Sequence, residues 1–288
     1  MKPAHTALAI LVMAVWASNI AAARFAAAEI PGWALITVRM FVIAVSLVPF
    51  VSIPRGYMWK IFWLSVTMGT LHFGLMFVAL HHIHVGTAAL IIQTSVPFAL
   101  LLALIVFRET FGWYRAAGIL ISFFGVALVV GEPRLSDSLV YAFMALVSAL
   151  AFGGANLQLR ALGGVSVFAI NGWMAVFAIP QMALMSVLFE TGQVDAVANA
   201  SPETWIAILH MGIIVSIVGH GLWYRLVPKY RTNQTMPFTL LIPVFGVSMG
   251  IVLLGETLNW HIIAGGLVTI AGVAIIVFRG ADRGNAKI

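Results

Sequence analysis

"LGETLNW", residues 254–260, interrupts one of the most apolar stretches of the chain, and "FRETFGW", residues 107–113, does the same in the first half. The chain spends only nine Asp and Glu on 288 residues, so two acids in matching contexts point to a duplicated unit. The match runs well past the motif. At a spacing of 147, Glu109, Thr110, Trp113, Ala117, Gly118, Leu120, Gly125, Val126, Ala127 and Val130 meet Glu256, Thr257, Trp260, Ala264, Gly265, Leu267, Gly272, Val273, Ala274 and Val277.

Composition identifies the solvent in which this unit is duplicated. Hydrophobic residues make up 62% of the chain and charged residues 8%, with a mean hydropathy of +1.07, whereas soluble domains carry about a quarter charged residues. Too few polar groups exist to coat a water-facing surface. Apolar runs long enough for a bilayer core lie near 5–23, 33–51, 60–80, 85–107, 113–131, 138–158, 166–189, 204–225, 233–254 and 261–278. Their length and their Ala, Leu and Gly content predict helices, since barrel strands are shorter and alternate polar with apolar. The expected fold is therefore all-α, with ten membrane helices. "MKPAHT" leads straight into the first run, which is read as a retained span and not a cleaved signal.

Five spans per unit is an odd number, so the second copy enters the membrane the other way up. The expectation is two inverted five-helix repeats, 1–135 and 136–280, followed by a cytoplasmic tail, 281–288. Charge fixes the orientation. With both termini in the cytoplasm, Lys2, Arg55, Lys60, Arg108, Arg115, Arg160, Arg225, Lys229, Arg231, Arg279, Arg283 and Lys287 fall inside, and only Arg24, Arg39 and Arg134 outside. The net charge of +6 is thus a topology signal, and no nucleic-acid partner is implied. The absence of cysteine excludes disulfides and thiolate chemistry.

The repeated motif reads locally as punctuation: Glu complements the dipole of the helix that follows, Thr caps it, and Trp sits at the headgroup boundary. The helices that follow carry Gly118, Ser122 and Gly125, and Gly265, Thr269 and Gly272, faces small enough for close approach. Packing within the chain and a homodimer seam through the fifth and tenth helices are both open, so the chain is a monomer or a homodimer. Either way these helices lie outside a substrate path.

Polar groups in lipid are costly and face the bundle interior, which selects candidates for a path. Trp16 and Asn19 share a face of the first run; Gly69, His72 and Met76 share one in the third; Ser216, His220, Trp223 and Tyr224 cluster in the eighth. Asn156 is taken as the counterpart of Asn19. Gln93 and Thr94 precede Pro97, and Gln234 and Thr235 precede Pro237 and Pro243, so the fourth and ninth helices should be broken at matching positions near a midplane site. Phe98 and Phe245 complete an apolar lining with Trp16 and Trp223. His210 is placed off the polar face. Three histidines in "HHIH", 81–84, cannot all reach one ion and read as an interfacial loop. Arg39, six residues into its run, is expected to snorkel to the surface, the alternative being that it attracts an anionic group at the outer mouth.

The stretches "FVALHHIHVGTAALIIQTSVPFALLLALIVFRETFGWYRAAGILISFFGVALVV" and "PFTLLIPVFGVSMGIVLLGETLNWHIIAGGLVTIAGVAIIV", with "VWASN" in the first run, resemble the paired halves of EamA-type members of the drug/metabolite transporter superfamily, most of all YddG-type bacterial exporters of amino acids. The resemblance implies ten helices around a central cavity, alternating access, an inner-membrane location and small neutral or zwitterionic substrates, aromatic amino acids included.

Other classes lack their chemistry. No midmembrane lysine is present for a Schiff base, no nucleophile with base and orienter, and no HExxH spacing, so an enzyme is not expected, nor any cofactor or metal. All nine acids fall in loops, helix ends or the tail. Two alternatives stay open: an exporter of other drugs or metabolites, and a membrane scaffold or sensor without flux.

Overall fold

The structure is a computed structural model that describes residues 2–108, 112–130, 139–226, 229–230 and 236–281. Glu109, Thr110, Glu132, Arg134, Asp137, Arg231, Gln234, Thr235, Asp282, Arg283 and Lys287 lie outside the described residues. Among those described there is no strand, and nine helices are long and apolar enough to cross a membrane. They are α1 Pro3–Ala26, α2 Gly32–Phe50, α3 Arg55–Ala79, α4 Val85–Val106, α5 Trp113–Val130, α6 Leu139–Leu159, α7 Val167–Phe189, α8 Pro202–Trp223 and α10 Trp260–Phe278. Between the last two, α9 is a shorter apolar helix, Phe238–Leu254. Bulky apolar side chains such as Phe41, Leu120, Phe124, Val252 and Leu267 point outward, as a lipid-facing surface requires.

Helix breaks recur at matching places. A π-helical segment occupies Ser65–Gly74 within α3, and another occupies His210–Gly219 within α8. A 3-10 turn, Ile92–Thr94, precedes Pro97 in α4, and another, Met236–Leu240, precedes Pro243 in α9. Proline lacks the N–H that would close an α-helical turn, so the tighter turn falls just before it. Both helices end in a left-handed residue, Arg108 (φ 54°) and Gly255 (φ 66°).

The small faces of α5 and α10 meet each other inside the chain. A Cβ on Gly118 would stand 2.8 Å from the Gly272 carbonyl, and one on Gly125 2.7 Å from that of Gly265, so only glycine allows this approach. Ser122 and Thr269 are buried in the seam and return their hydroxyls to Gly118 O and Gly265 O of their own helices. This face is consumed by intramolecular packing. Of the two readings open for this face, packing within the chain is the one found; a homodimer through these helices would use their bulky outer sides.

Three carboxylates clasp one end of the bundle. Glu29, after α1, accepts from Ser201 N and Ser201 Oγ at the start of α8, both at 2.7 Å. Glu190, after α7, accepts from Trp33 N (2.7 Å) and Ala34 N (3.0 Å) at the start of α2. Glu256, after α9, accepts from Val85 N (2.6 Å) and Gly86 N (3.2 Å) at the start of α4. Helix starts leave unpaired N–H groups that favour anions, and each carboxylate supplies them to a helix distant in sequence. Glu256 therefore does not serve the helix that follows it: Asn259 Oδ1 caps α10, accepting from Ile262 N at 2.9 Å.

Candidate substrate site

Two features of the backbone bring the predicted residues to a common layer. The first is the π segment of α8, whose five-residue spacing lets side chains reach carbonyls five positions back: Ser216 Oγ donates to Met211 O (2.9 Å), and His220 Nδ1 lies 3.1 Å from Val215 O. His220 and Trp223 then both meet Trp16 of α1, with ring centroids 5.1 and 5.5 Å apart. Phe245 of α9 packs against the same cluster, which includes Met13 and Leu226. Tyr224 follows on the same helix, but its side chain lies outside the described residues.

The second is the π segment of α3, which departs from simple helical spacing. Gly69 faces α7, where an added Cβ would stand 3.0 Å from Ala178 Cβ, while His72 faces Ser148 of α6. The shared face expected for Gly69 and His72 assumes a 3.6-residue period, and a π segment does not keep it. His72 is buried. Its Nδ1 lies 2.9 Å from Ser148 Oγ, and that hydroxyl donates to His72 O at 2.9 Å. The Ser148 carbonyl, which can only accept, lies 3.2 Å from the same nitrogen, so a hydrogen on Nδ1 serves both contacts. Phe152 stacks on the imidazole at 4.6 Å and Phe73 lies at 4.7 Å. More of this segment is pinned by amides: Thr70 Oγ1 donates to Gln181 Oε1 (2.8 Å), and Gln181 Nε2 donates to Ser65 Oγ (2.7 Å).

Arg39 links the two segments. It does not snorkel: it is 2% exposed, reaches from α2 into the bundle, and donates from Nη2 to Ser216 Oγ at 3.3 Å. Its guanidinium carbon lies 4.7 Å from the Phe73 ring centre and 5.5 Å from that of Phe77. Arg39 lies seven residues into α2, roughly 10 Å along the axis, on the face that buries Leu35, Ile36, Met40 and Ile43, so the side chain starts on the wrong side of the helix to reach water. A polar layer thus crosses the bundle from Ser148 and His72 through Phe73, Arg39 and Ser216 to His220, Trp16 and Trp223.

The remaining candidates divide. Asn19 is half-buried one turn from Trp16, and Gln93 and Thr94 are buried in the break of α4, where Thr94 Oγ1 donates to Ile91 O. Phe98 turns to Phe123 of α5 at 5.0 Å, and no contact joins it to Trp16. Asn156 is exposed and donates to Phe152 O of its own helix. His210 is no bystander, for its Nε2 lies 2.8 Å from Ser18 Oγ of α1. Sequence reading overlooked Gln181, although "IPQ" at 179–181 sets an amide beside a proline just as "QTSVP" does. The "HHIH" histidines go separate ways: His81 Nε2 to Ile30 O (3.1 Å), His82 stacked on Tyr141 (3.6 Å), His84 as the residue before α4.

Six buried side-chain N or O atoms among the described residues have no hydrogen-bond partner: Trp16 Nε1, Asn19 Oδ1, Arg39 Nε and Nη1, Gln93 Nε2 and Thr204 Oγ1. Four of the six belong to the layer or to the break of α4, and a fifth, Asn19 Oδ1, lies one turn from Trp16 at the edge of the layer. Clefts of about 410 Å³, lined by Arg24, Glu29, His84 and Glu256, and of about 300 Å³, lined by Ser52, Arg55, Tyr57 and Ser166, lie away from it.

Known proteins share this architecture along the whole chain. It is 27% identical over 290 residues to a "Probable amino-acid metabolite efflux pump" of Salmonella typhimurium, covering 98% of this chain and 97% of the relative, and 24% identical, at the same coverage, to one of Escherichia coli. A "Probable terminal-alkyne amino-acid exporter" of Streptantibioticus cattleyicolor is 27% identical over 210 residues, 70% of this chain and 67% of that one. A solved crystal structure has the same fold, with a TM-score of 0.64 at 15% identity over 99% of this chain and 100% of that one. The model of the EamA-like transporter family matches twice, over residues 5–131 and 139–278, so this chain belongs to that family: it is a multi-pass membrane transporter and not an enzyme.

Proposed function

We propose that the chain exports small zwitterionic metabolites, amino acids with apolar and aromatic side chains above all, across a bacterial inner membrane. Two inverted five-helix repeats, 1–135 and 136–280, alternate access to the polar layer, with both termini cytoplasmic and the carboxylate-clasped end outside. The observation that carries this reading is the set of unpaired buried donors and acceptors on Trp16, Asn19, Arg39 and Gln93. Native interiors rarely leave such groups unsatisfied, and a scaffold without flux has no use for a cluster of them. Donors and an acceptor beside indole and phenyl rings suit a solute with ammonium, carboxylate and apolar parts. The relatives' names favour the same class. Matching breaks in α3 and α8, and in α4 and α9, support the repeat, because broken helices at corresponding positions border transporter sites.

Purified protein reconstituted into liposomes loaded with labelled amino acids tests the proposal. Saturable efflux, competed by an aromatic amino acid, is expected. Efflux no faster than from empty liposomes, with folded protein in the membrane, would leave the scaffold reading in its place.

A further inference from the structure

We infer that Arg39 is the receptor for the carboxylate of the transported solute. The inference rests on the export reading above and names the group through which the layer recognises its substrate.

A guanidinium carries five N–H donors in a planar fork and stays charged under all ordinary conditions. Burying such a group without an anion is costly, and buried charges are normally paired. Arg39 has no carboxylate within ion-pair distance among the described residues; its one hydrogen bond is to the neutral hydroxyl of Ser216, and Nε and Nη1 have no acceptor. Phe73 and Phe77 offer only ring faces. Ser216 can occupy one of the two Nη2 hydrogens. The other, with Nε or Nη1, leaves one complete two-donor edge, the geometry a carboxylate accepts.

Position favours a substrate over a structural anion. Ser216 and Phe73, the partners of Arg39, lie in the two matching π segments, so an anion on Arg39 engages both halves of the duplicated chain. From Ser216, one helical turn of roughly 6 Å leads to His220, whose ring meets Trp16. A solute bound by its carboxylate at Arg39 would direct its other end toward those aromatic rings. An amino acid that fits this space should therefore bind with its free carboxylate, and its carboxamide, nearly identical in shape but without the negative charge, should not.

The test pairs binding with transport on the full-length protein. Thermal stabilisation in detergent is measured for L-phenylalanine, L-leucine and L-threonine against their carboxamides, with the wild type, Arg39→Lys and Arg39→Gln. At least one amino acid should stabilise the wild type at a concentration ten-fold or more below its carboxamide. That preference should shrink in Arg39→Lys, which keeps the charge without the fork, and vanish in Arg39→Gln. Equal effects of acid and amide on the wild type, or no effect of any acid, would overturn the inference, and neither result depends on a variant folding. Carboxylate-selective binding without flux in liposomes would sink the export reading and leave the assignment of Arg39 intact; flux with no preference for the acid would do the reverse.

Discussion

The α5–α10 seam and the polar layer between α3 and α8 are both built from corresponding parts of a duplicated sequence, yet they solve opposite problems. The seam brings backbones together through Gly118, Gly125, Gly265 and Gly272 and returns its hydroxyls to its own helices. Nothing there awaits a partner. The layer departs from α-helical spacing in both of its principal helices and holds buried atoms without partners on Trp16, Asn19 and Arg39. In lipid, where apolar burial drives little association between helices, close packing supplies the frame. The difference teaches which region can be judged by stability and which by flux.

The largest effect belongs to the seam. Gly125→Leu places a side chain where a Cβ alone would lie 2.7 Å from the Gly265 carbonyl. Backbone cannot swing aside as a side chain can, so the expected outcome is loss of most folded protein, read as the monodisperse fraction on size exclusion. Recovery of folded protein near the wild-type level would mean that the two helices do not define the frame.

Asn19→Ala tests the layer with the opposite signature. Its Oδ1 is buried without a hydrogen bond, and removing an unsatisfied polar atom costs nothing in lost bonds and can relieve desolvation. Thermal stability should change by less than about 1 kcal/mol, while flux per folded molecule falls several-fold. Unchanged flux would make Asn19 a structural residue.

Much of this contrast was legible in the sequence, because the seam is written in small residues at regular spacing. Gly118, Ser122 and Gly125 recur as Gly265, Thr269 and Gly272, and the 3.6-residue period holds along both helices. In the layer, the grouping of Trp16, His220 and Trp223 is legible because α1 is regular and the side chains of α8 lie within about two turns, and their rings do meet. The inward turn of Arg39 is not legible, since α2 is apolar on every side and no pattern marks its inward face. A common face for Gly69 and His72 follows from a period that the π segment does not keep. Sequence proximity assigns Glu256 to the helix that follows it, while its partners, Val85 and Gly86, are about 170 residues away.

The clasped end stands between these extremes, and acid should weaken it. Burial, the larger cause, holds His81 and His82 below the ordinary histidine value, with Ile30 O opposing the shift at His81. A group whose pKa is lowered by folding takes up protons more readily when unfolded, so stability is full above about pH 6.5 and declines as pH falls below it. Ser201 keeps the Glu29 carboxylate below its usual range, which adds a loss at still lower pH. The melting temperature should therefore drop between about pH 6.5 and 5, with a shallower slope in the His81→Gln, His82→Gln double variant. An unchanged slope would remove these histidines from the acid response.

The smallest expected effect is that of an imposed ion gradient. A coupling site needs a group that changes charge within the layer, and among the described residues the acids nearest the bundle, Glu29, Glu190 and Glu256, are committed to helix starts at one end. His72 is held between Ser148 and two phenyl rings with no carboxylate to stabilise a proton, and the nearest formal charge in the layer is the cation Arg39. His220 keeps Nδ1 at the Val215 carbonyl, one turn beyond the serine that Arg39 holds. Passive facilitation is the expected outcome: amino acid flux in proteoliposomes should run only downhill, at the same initial rate with a pH gradient, a sodium gradient or neither, and should persist in folded His72→Gln and His220→Gln. Uphill accumulation under a pH gradient that either substitution abolishes would assign proton coupling to that histidine and make the layer an engine as well as a binding site. Sodium-driven accumulation that survives both would place the coupling ion outside the layer and break the division between a passive frame and a chemically active centre.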